Sequence, residues 1–396
     1  MTTLHSRIGF EIELLAPPGS SRRTLADRLA SDLDGHVTRI FHTDSEPSLV
    51  PGMGHFWHLT PGYVVRDALG GPVAELVDDV TIVDDLRRHH EEARVGPSTD
   101  ARPADAVPAD AVPADDRSYR VLSDDLRLLR LVARHSSPDT PFDRALDDVA
   151  AVFGSTVESI GAVRRLRDGA GSSIALASAL AAGRERPCEI VTPPLVADHE
   201  AALERLLGPA RELGFTVPVE AAVHLHLDGV PFRSVAAFAN LVRLFSWWHL
   251  PLRAVLGTNP ACTRLAPLPS ALVELVARAD RPGSATTLDW SQLQTAAAGT
   301  GLTKYADVNL TALATDRPVR DTVEVRILPG TLDAADLTRR AGLVERLLAR
   351  CLEAEPVPRP TSTDAREAAA ELLDLARASD PAGLVLSAEA TARGRR

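Results

Sequence analysis

The run Arg7-Ile8-Gly9-Phe10-Glu11-Ile12-Glu13-Leu14 decides how the chain is read. Its apolar residues recur with a period of two: Ile8, Phe10, Ile12 and Leu14 share one face, and Gly9, Glu11 and Glu13 share the other. Such a strand buries its apolar face against helices and turns two glutamates, two residues apart, to the opposite side. Taken alone, two glutamates on a solvated strand face need no function.

Further along, the layout returns. In Ala222 to Asp228, His224 and His226 alternate with Leu225 and Leu227, and Asp228 continues the polar face. In Thr322 to Leu328, Glu324 and Arg326 alternate with Val323, Val325 and Ile327. Glu189 lies between Cys188 and Ile190 in a short strand, Pro187 to Thr192, and Ala306 to Leu310 reads as another. A solvated strand face ordinarily mixes Lys, Thr, Ser, Gln and Arg. These faces carry Glu and His with one Arg. Carboxylate and imidazole together suit hard or borderline divalent cations such as Mg²⁺ or Mn²⁺. The arginine adds a fork for phosphate or carboxylate. Carboxylates collected on one face repel one another unless a cation neutralises them.

Helices separate these strands. They are read over Ser123 to His135, from an Asp198 cap to Leu213 before Gly214, over Ser234 to Trp248, from about Asp336, and over Thr363 to Ala378. Pro209 inside the second of these is expected to kink or split it. Strands alternating with helices allow a parallel α/β sheet. No glycine-rich phosphate loop of the Rossmann or Walker type is present.

The chain has 396 residues and a formal net charge of −11, which argues against general nucleic-acid or anionic-membrane binding. No apolar stretch approaches the roughly 18 residues of a membrane span. The three cysteines, Cys188, Cys262 and Cys351, are widely spaced and suit a reducing compartment. With no apolar leader at the N-terminus, a cytoplasmic location is expected. Lys304 is the only lysine. Residues 96–117, with Pro103-Ala104-Asp105-Ala106-Val107 and its repeats, read as a disordered insertion. The tail from about Ala388 reads as frayed. His89-His90 beside Glu91-Glu92 reads as a solvated surface, because adjacent helical residues point apart.

Five segments in order resemble the amidoligase family, carboxylate–amine ligases of the glutamine synthetase and glutamate–cysteine ligase superfamily. They are Gly9-Phe10-Glu11-Ile12-Glu13, Glu189-Ile190-Val191-Thr192-Pro193-Pro194, His224-Leu225-His226, Lys304-Tyr305-Ala306-Asp307-Val308-Asn309-Leu310, and Glu324-Val325-Arg326-Ile327-Leu328-Pro329-Gly330-Thr331-Leu332-Asp333. The likeness runs from Ile8 to about Leu348. It implies an α+β fold, a curved and mostly antiparallel sheet forming an active-site funnel with helices outside. It implies a catalytic region over residues 1–355, broken at 96–117, followed by a C-terminal helix and tail over 356–396.

The implied activity is ATP-dependent amide formation through an acyl phosphate, with Mg²⁺ or Mn²⁺, on a small molecule or peptide. The partners are then a carboxylate and an amine, without nucleic acid or membrane. The resemblance makes Glu11, Glu13, Glu189, His224 and Glu324 metal ligands, with Glu189 alternatively the amine-site carboxylate and general base. It brings His226 to the nucleotide phosphates and Arg326 to the transferring γ-phosphate. Arg264 lies in a loop that resembles a substrate- or phosphate-binding loop, although an ordinary loop arginine fits as well. Lys304 is open to phosphate binding or to a surface role. Asn309 is open to nucleotide, substrate or a turn role. Trp247 and Trp248 read as core. The family's short aspartate–serine element has no clean match here, either in His55-Phe56-Trp57-His58-Leu59-Thr60 or in Val77-Asp78-Asp79-Val80-Thr81. Two other readings remain at this stage. A metal-dependent hydrolase would turn over without nucleotide, and a non-catalytic relative would lack some acidic ligands.

Overall fold

The computed structural model describes residues 3–47, 55–83, 86, 118–262, 264–279, 288–381 and 384. The insertion at 96–117, the His89-His90 pair and the tail from Ala388 lie outside the described residues.

The strands, in chain order, are β1 (Ile8–Leu15), β2 (His36–Pro47), β3 (His55–Arg66), β4 (Pro72–Val77), β5 (Tyr119–Ser123), β6 (Val157–Ile160), β7 (Val163–Arg167), β8 (Ser173–Ala179), β9 (Pro187–Val191), β10 (Ala222–Asp228), β11 (Val308–Asn309) and β12 (Thr322–Pro329). The helices include α1 (Arg22–Asp32), α2 (Leu126–His135), α3 (Asp147–Val152), α4 (His199–Glu212), α5 (Val235–Trp247), α6 (His249–Leu256), α7 (Ser270–Ala279), α8 (Trp290–Ala298), α9 (Ala334–Arg350) and α10 (Ala365–Ala378). Two compact units divide the chain. The first comprises residues 1–13, 192–211 and 217–396, and the second residues 14–191 and 212–216.

In the first unit the strands lie in the order β11-β12-β10-β1, each pair antiparallel and the row open. The parallel α/β arrangement is therefore corrected. Helices do separate these strands in sequence, yet β1, β10 and β12 pair across long connections that reverse the chain's direction. Ile8, Phe10, Ile12, Val223, Leu225, Leu227, Val323, Val325 and Ile327 are all buried, as the alternation requires. Each such side chain, fully buried, contributes about 1.5–3 kcal/mol. Leu244 and Phe245 of α5, Leu252 and Leu256 of α6, Val325 of β12, and Val344, Leu347 and Leu348 of α9 enclose one apolar space, so one face of this sheet is covered by helices.

Capping explains where those helices begin. Ser234 Oγ accepts from Ala237 N at 3.2 Å, and Asp333 Oδ1 accepts from Ala335 N and Asp336 N. Pro209 neither splits nor ends α4, which runs on to Glu212. Its position in the helix's last turn costs one hydrogen bond near an end that frays anyway. Buried Glu345 of α9 accepts from His5 N and Ser6 N, at 2.8 and 2.5 Å, and fixes the entry to β1. Thr192 N donates to Phe10 O at 2.9 Å, and its Oγ1 accepts from Phe10 N at 2.9 Å. The motif after Glu189 thus serves to hold β1.

In the second unit the order is β9-β4-β3-β5-β8-β7-β6, with β2 paired to β3, again antiparallel and open. Leu59, Tyr119, Val121, Leu166, Ala175 and Ala177 of its strands pack on Leu128, Leu129 and Val132 of α2 and Val149 and Ala150 of α3. The molecule is mixed α+β, and every strand pairing given above is antiparallel. Among the described residues no helix is long and apolar enough to cross a membrane.

Candidate functional site

Register assembles the polar face of the first unit's sheet. Glu11 stands opposite His224, His226 opposite Glu324, and Glu324 opposite Asn309. Residues 309, 224 and 11, far apart in sequence, thereby share one surface. The β10–β12 pairing shifts register between Val223 and Leu225, so β12 carries one extra residue opposite His224. Arg326 lies in that extra stretch and ion-pairs with Glu324, two residues before it.

The contacts are close. His224 Nδ1 is 3.1 Å from Glu11 Oε2 and 3.7 Å from Glu324 Oε1, and His224 Nε2 is 3.5 Å from Glu13 Oε1. His226 Nε2 is 3.1 Å from Glu11 Oε1. Asn309 Nδ2 donates to Glu324 Oε2 at 2.7 Å, and Ala222 N donates to Glu13 Oε2 at 2.8 Å. Glu13, His224 and Glu324 are buried.

Electrostatics follow from this packing. Burial pushes the Glu11 carboxyl up, but the charge of His226 and hydrogen bonds from both histidines outweigh it and hold Glu11 well below the usual carboxylate range. Burial likewise raises Glu324, and the adjacent Arg326 and His226 charges reverse the effect and lower it. His224 is pushed down, first by burial and then by the charge of Arg326. Burial also lowers His226, but Glu11 overrides it and raises the imidazole. The face therefore holds ionised carboxylates around a neutral imidazole, the form of histidine that binds metal.

The donor set fits a divalent cation. Glu11, His224 and Glu324 each offer one ligand atom, and the three atoms lie within 4.8 Å of one another. If His224 Nδ1–H donates to Glu11, its Nε2 lone pair faces Glu13 Oε1, so two acceptors confront each other. A cation held between them would resolve that conflict. Arg326 spends its Nη1 on Glu324, while its buried Nε has no hydrogen-bond partner among the described residues. The face thus sets donor atoms that could hold a cation beside a guanidinium that could meet an anion.

The family model "Putative amidoligase enzyme" matches residues 4–348. The chain belongs to the amidoligase family. The family's name denotes an amide-forming ligase, with substrates joined through an amide bond. No curated protein matches the chain.

Within this amidoligase, the residues anticipated for the site come from both units. Glu11, Glu13, His224, His226, Asn309, Glu324 and Arg326 come together on one sheet face of the first unit. Glu189 lies on β9 of the second unit, half-buried and opposite Val77. Lys304 rests its ammonium over the Tyr305 ring, 5.5 Å from the centroid. Arg264 sits half-buried after α6, with no ion pair among the described residues. Trp248 is core, its Nε1 donating to Pro358 O at 2.8 Å, whereas the half-buried Trp247 carries Arg359 over its ring. All three cysteines are free thiols, and burial pushes Cys188 and Cys351 far above the usual thiol range, so neither is a nucleophile.

One contributor escaped the sequence reading. Arg320 Nη1 lies 3.5 Å from Glu11 Oε1. It precedes β12 in a loop without strand alternation, so period-two reading had no signal for it. Its partner lies 309 residues away in sequence.

Proposed function

We propose that this amidoligase is an ATP-dependent carboxylate–amine ligase with a glutamine synthetase-like fold, its sheet curved into an active-site funnel. It forms an amide through an acyl phosphate on a small-molecule or peptide substrate. The observation that carries the reading is the polar face itself: three carboxylates, a neutral imidazole and a buried guanidinium on three paired strands.

Glu11, His224 and Glu324 would hold Mg²⁺ or Mn²⁺, with Glu13 adjoining. Bound there, the cation would neutralise nucleotide phosphate charge. The chain's own residues do the rest. Asn309 and Arg326 hold the Glu324 carboxylate in one orientation, and Ala222 N holds Glu13. His226, turned toward Glu11, sits where phosphate oxygens would arrive. The Arg326 guanidinium supplies positive charge where the γ-phosphoryl group develops negative charge. In the first step the substrate carboxylate oxygen bonds to the γ-phosphorus and the bond to ADP breaks. In the second, the amine nitrogen bonds to the acyl carbon, phosphate leaves, and the amine's proton passes to a base, a role the resemblance gives to Glu189.

A hydroxylamine-trapping assay tests the reading. Purified protein is incubated with ATP, Mg²⁺, hydroxylamine and a panel of carboxylates. The expected result is acyl hydroxamate formed mole for mole with ADP, abolished in Arg326→Ala. Turnover of amide substrates without nucleotide would favour a metal-dependent hydrolase instead.

A further inference from the structure

Arg320 lies outside every motif quoted above, yet it touches the acidic face. Its Nη1 approaches the same Glu11 oxygen that His226 Nε2 reaches. The two arginines of the site differ in freedom. The Arg326 side chain is 11% exposed and paired with Glu324, whereas the Arg320 side chain is 58% exposed.

The loop that carries Arg320 is anchored at its base. Arg233 grips Asp321 through Nε and Nη2, at 2.9 to 3.2 Å, and donates to Ala312 O at 3.0 Å. Gly229 N donates to Asp321 O at 2.9 Å. A Cβ on Gly229 would lie 2.8 Å from Asp321 Oδ1, so this contact requires glycine. Immediately beyond the anchor, Val319 is 87% exposed and Arg320 faces solvent. A fixed base thus presents a cation with free reach at the edge of the site.

We propose that Arg320 is a phosphate-binding residue, which exchanges its contact with Glu11 for the β- and γ-phosphates of the bound nucleotide. This rests on the ligase reading. An ion pair at this exposure contributes little, so exchanging it is easy. A polyphosphate offers more charge than one carboxylate oxygen and accepts a guanidinium through two parallel hydrogen bonds. Glu11 is also a candidate cation ligand, and a cation held there repels the guanidinium toward the incoming anion. Arg326 is already committed to Glu324. Among the described residues, Arg320 is the exposed arginine in contact with the cluster.

The test is calorimetric titration of ATP, ADP and AMP, with Mg²⁺, into wild type, Arg320→Ala and Arg320→Lys. Arg320→Ala is expected to weaken ATP by about tenfold or more and to leave AMP within about twofold, with Arg320→Lys restoring part of the loss. Its thermal transition should match that of wild type, because the side chain is exposed. Gly229→Ala, which shifts the anchor and keeps the guanidinium, should weaken ATP by an intermediate factor. Unchanged ATP affinity in Arg320→Ala, or equal loss for ATP and AMP, would overturn the role of Arg320 and leave the ligase reading intact. A wild type that binds no nucleotide would overturn both, and that failure shows in the wild-type titration alone.

Discussion

Each unit contains a buried cluster of carboxylates and arginines, and the two are built to opposite accounts of charge. In the second unit, fully buried Asp78 faces three arginines: Arg184 at 2.6 Å, Arg120 at 3.4 Å and Arg22 at 3.7 Å. Nη atoms of Arg22 and Arg184 also donate to backbone carbonyls, while their buried Nε atoms have no hydrogen-bond partner among the described residues. Arg22 Nη1 reaches Arg184 O and Pro187 O, while Arg184 reaches Ile82 O and Asp79 O. Burial pushes Asp78 up, and the charges of Arg184, Arg22 and Arg120 outweigh it and hold the carboxyl below its ordinary value. In the first unit the ratio is inverted. Glu11, Glu13 and Glu324 share one buried guanidinium and two imidazoles. The first arrangement is closed and serves structure. The second gathers carboxylates with imidazoles, the donor types of the cation site proposed above.

The largest expected effect breaks the closed cluster. Asp78→Asn leaves three guanidiniums without their counter-charge and should cost about 3–5 kcal/mol in denaturant unfolding. A cost below about 1 kcal/mol would mean that the arginines are satisfied by carbonyls alone. The next sharpens the second unit's dependence on burial. His58 of β3 is 1% exposed, and burial pushes its imidazole down to about 4, from 6.5. The unfolded chain therefore binds the proton first. Stability from His58 is complete above about pH 6.5 and is lost as pH falls toward about 4. Relative to His58→Gln, wild type should lose about 3 kcal/mol between pH 7 and pH 4. The difference cancels the opposing contribution of Asp79, which burial pushes up to about 6. A flat difference would place a charged His58 in the fold. The smallest effect is the control. Glu274→Gln removes a surface pair with Arg278, both side chains more than 60% exposed, and should change stability by less than about 0.5 kcal/mol.

The site was legible in the sequence because its strands alternate strictly: period two alone puts Glu11 with Glu13, His224 with His226, and Glu324 with Arg326. Strand direction was not legible, since spacing reports that helices intervene and not which strands pair. Most of the second unit's sheet went unread. β3 contains Pro61 and Gly62, which interrupt a strand pattern, and β2 carries polar residues along most of its length. Trp57 and the Asp78-Asp79 pair did stand out, but without a family match, and the structure makes Asp78 the centre of an arginine cluster. Arg320 was illegible for a different reason: its place depends on a loop fixed by Arg233 and Gly229 and on no local pattern.

The central claim is that the carboxylates and His224 of the first unit hold a divalent cation needed by the nucleotide. Titration of ATP with Mn²⁺, and of ATP alone, into wild type and Glu324→Gln tests it most directly. The account predicts cation-dependent ATP binding in wild type, weakened by about 100-fold in Glu324→Gln, which removes one ligand charge. It also predicts that the metal-free variant is less stable than wild type, because Glu324→Gln leaves the buried Arg326 without its carboxylate, so the titrations are compared at a temperature where both proteins are folded. Cation-independent ATP binding, or equal affinity in the two proteins, would contradict it.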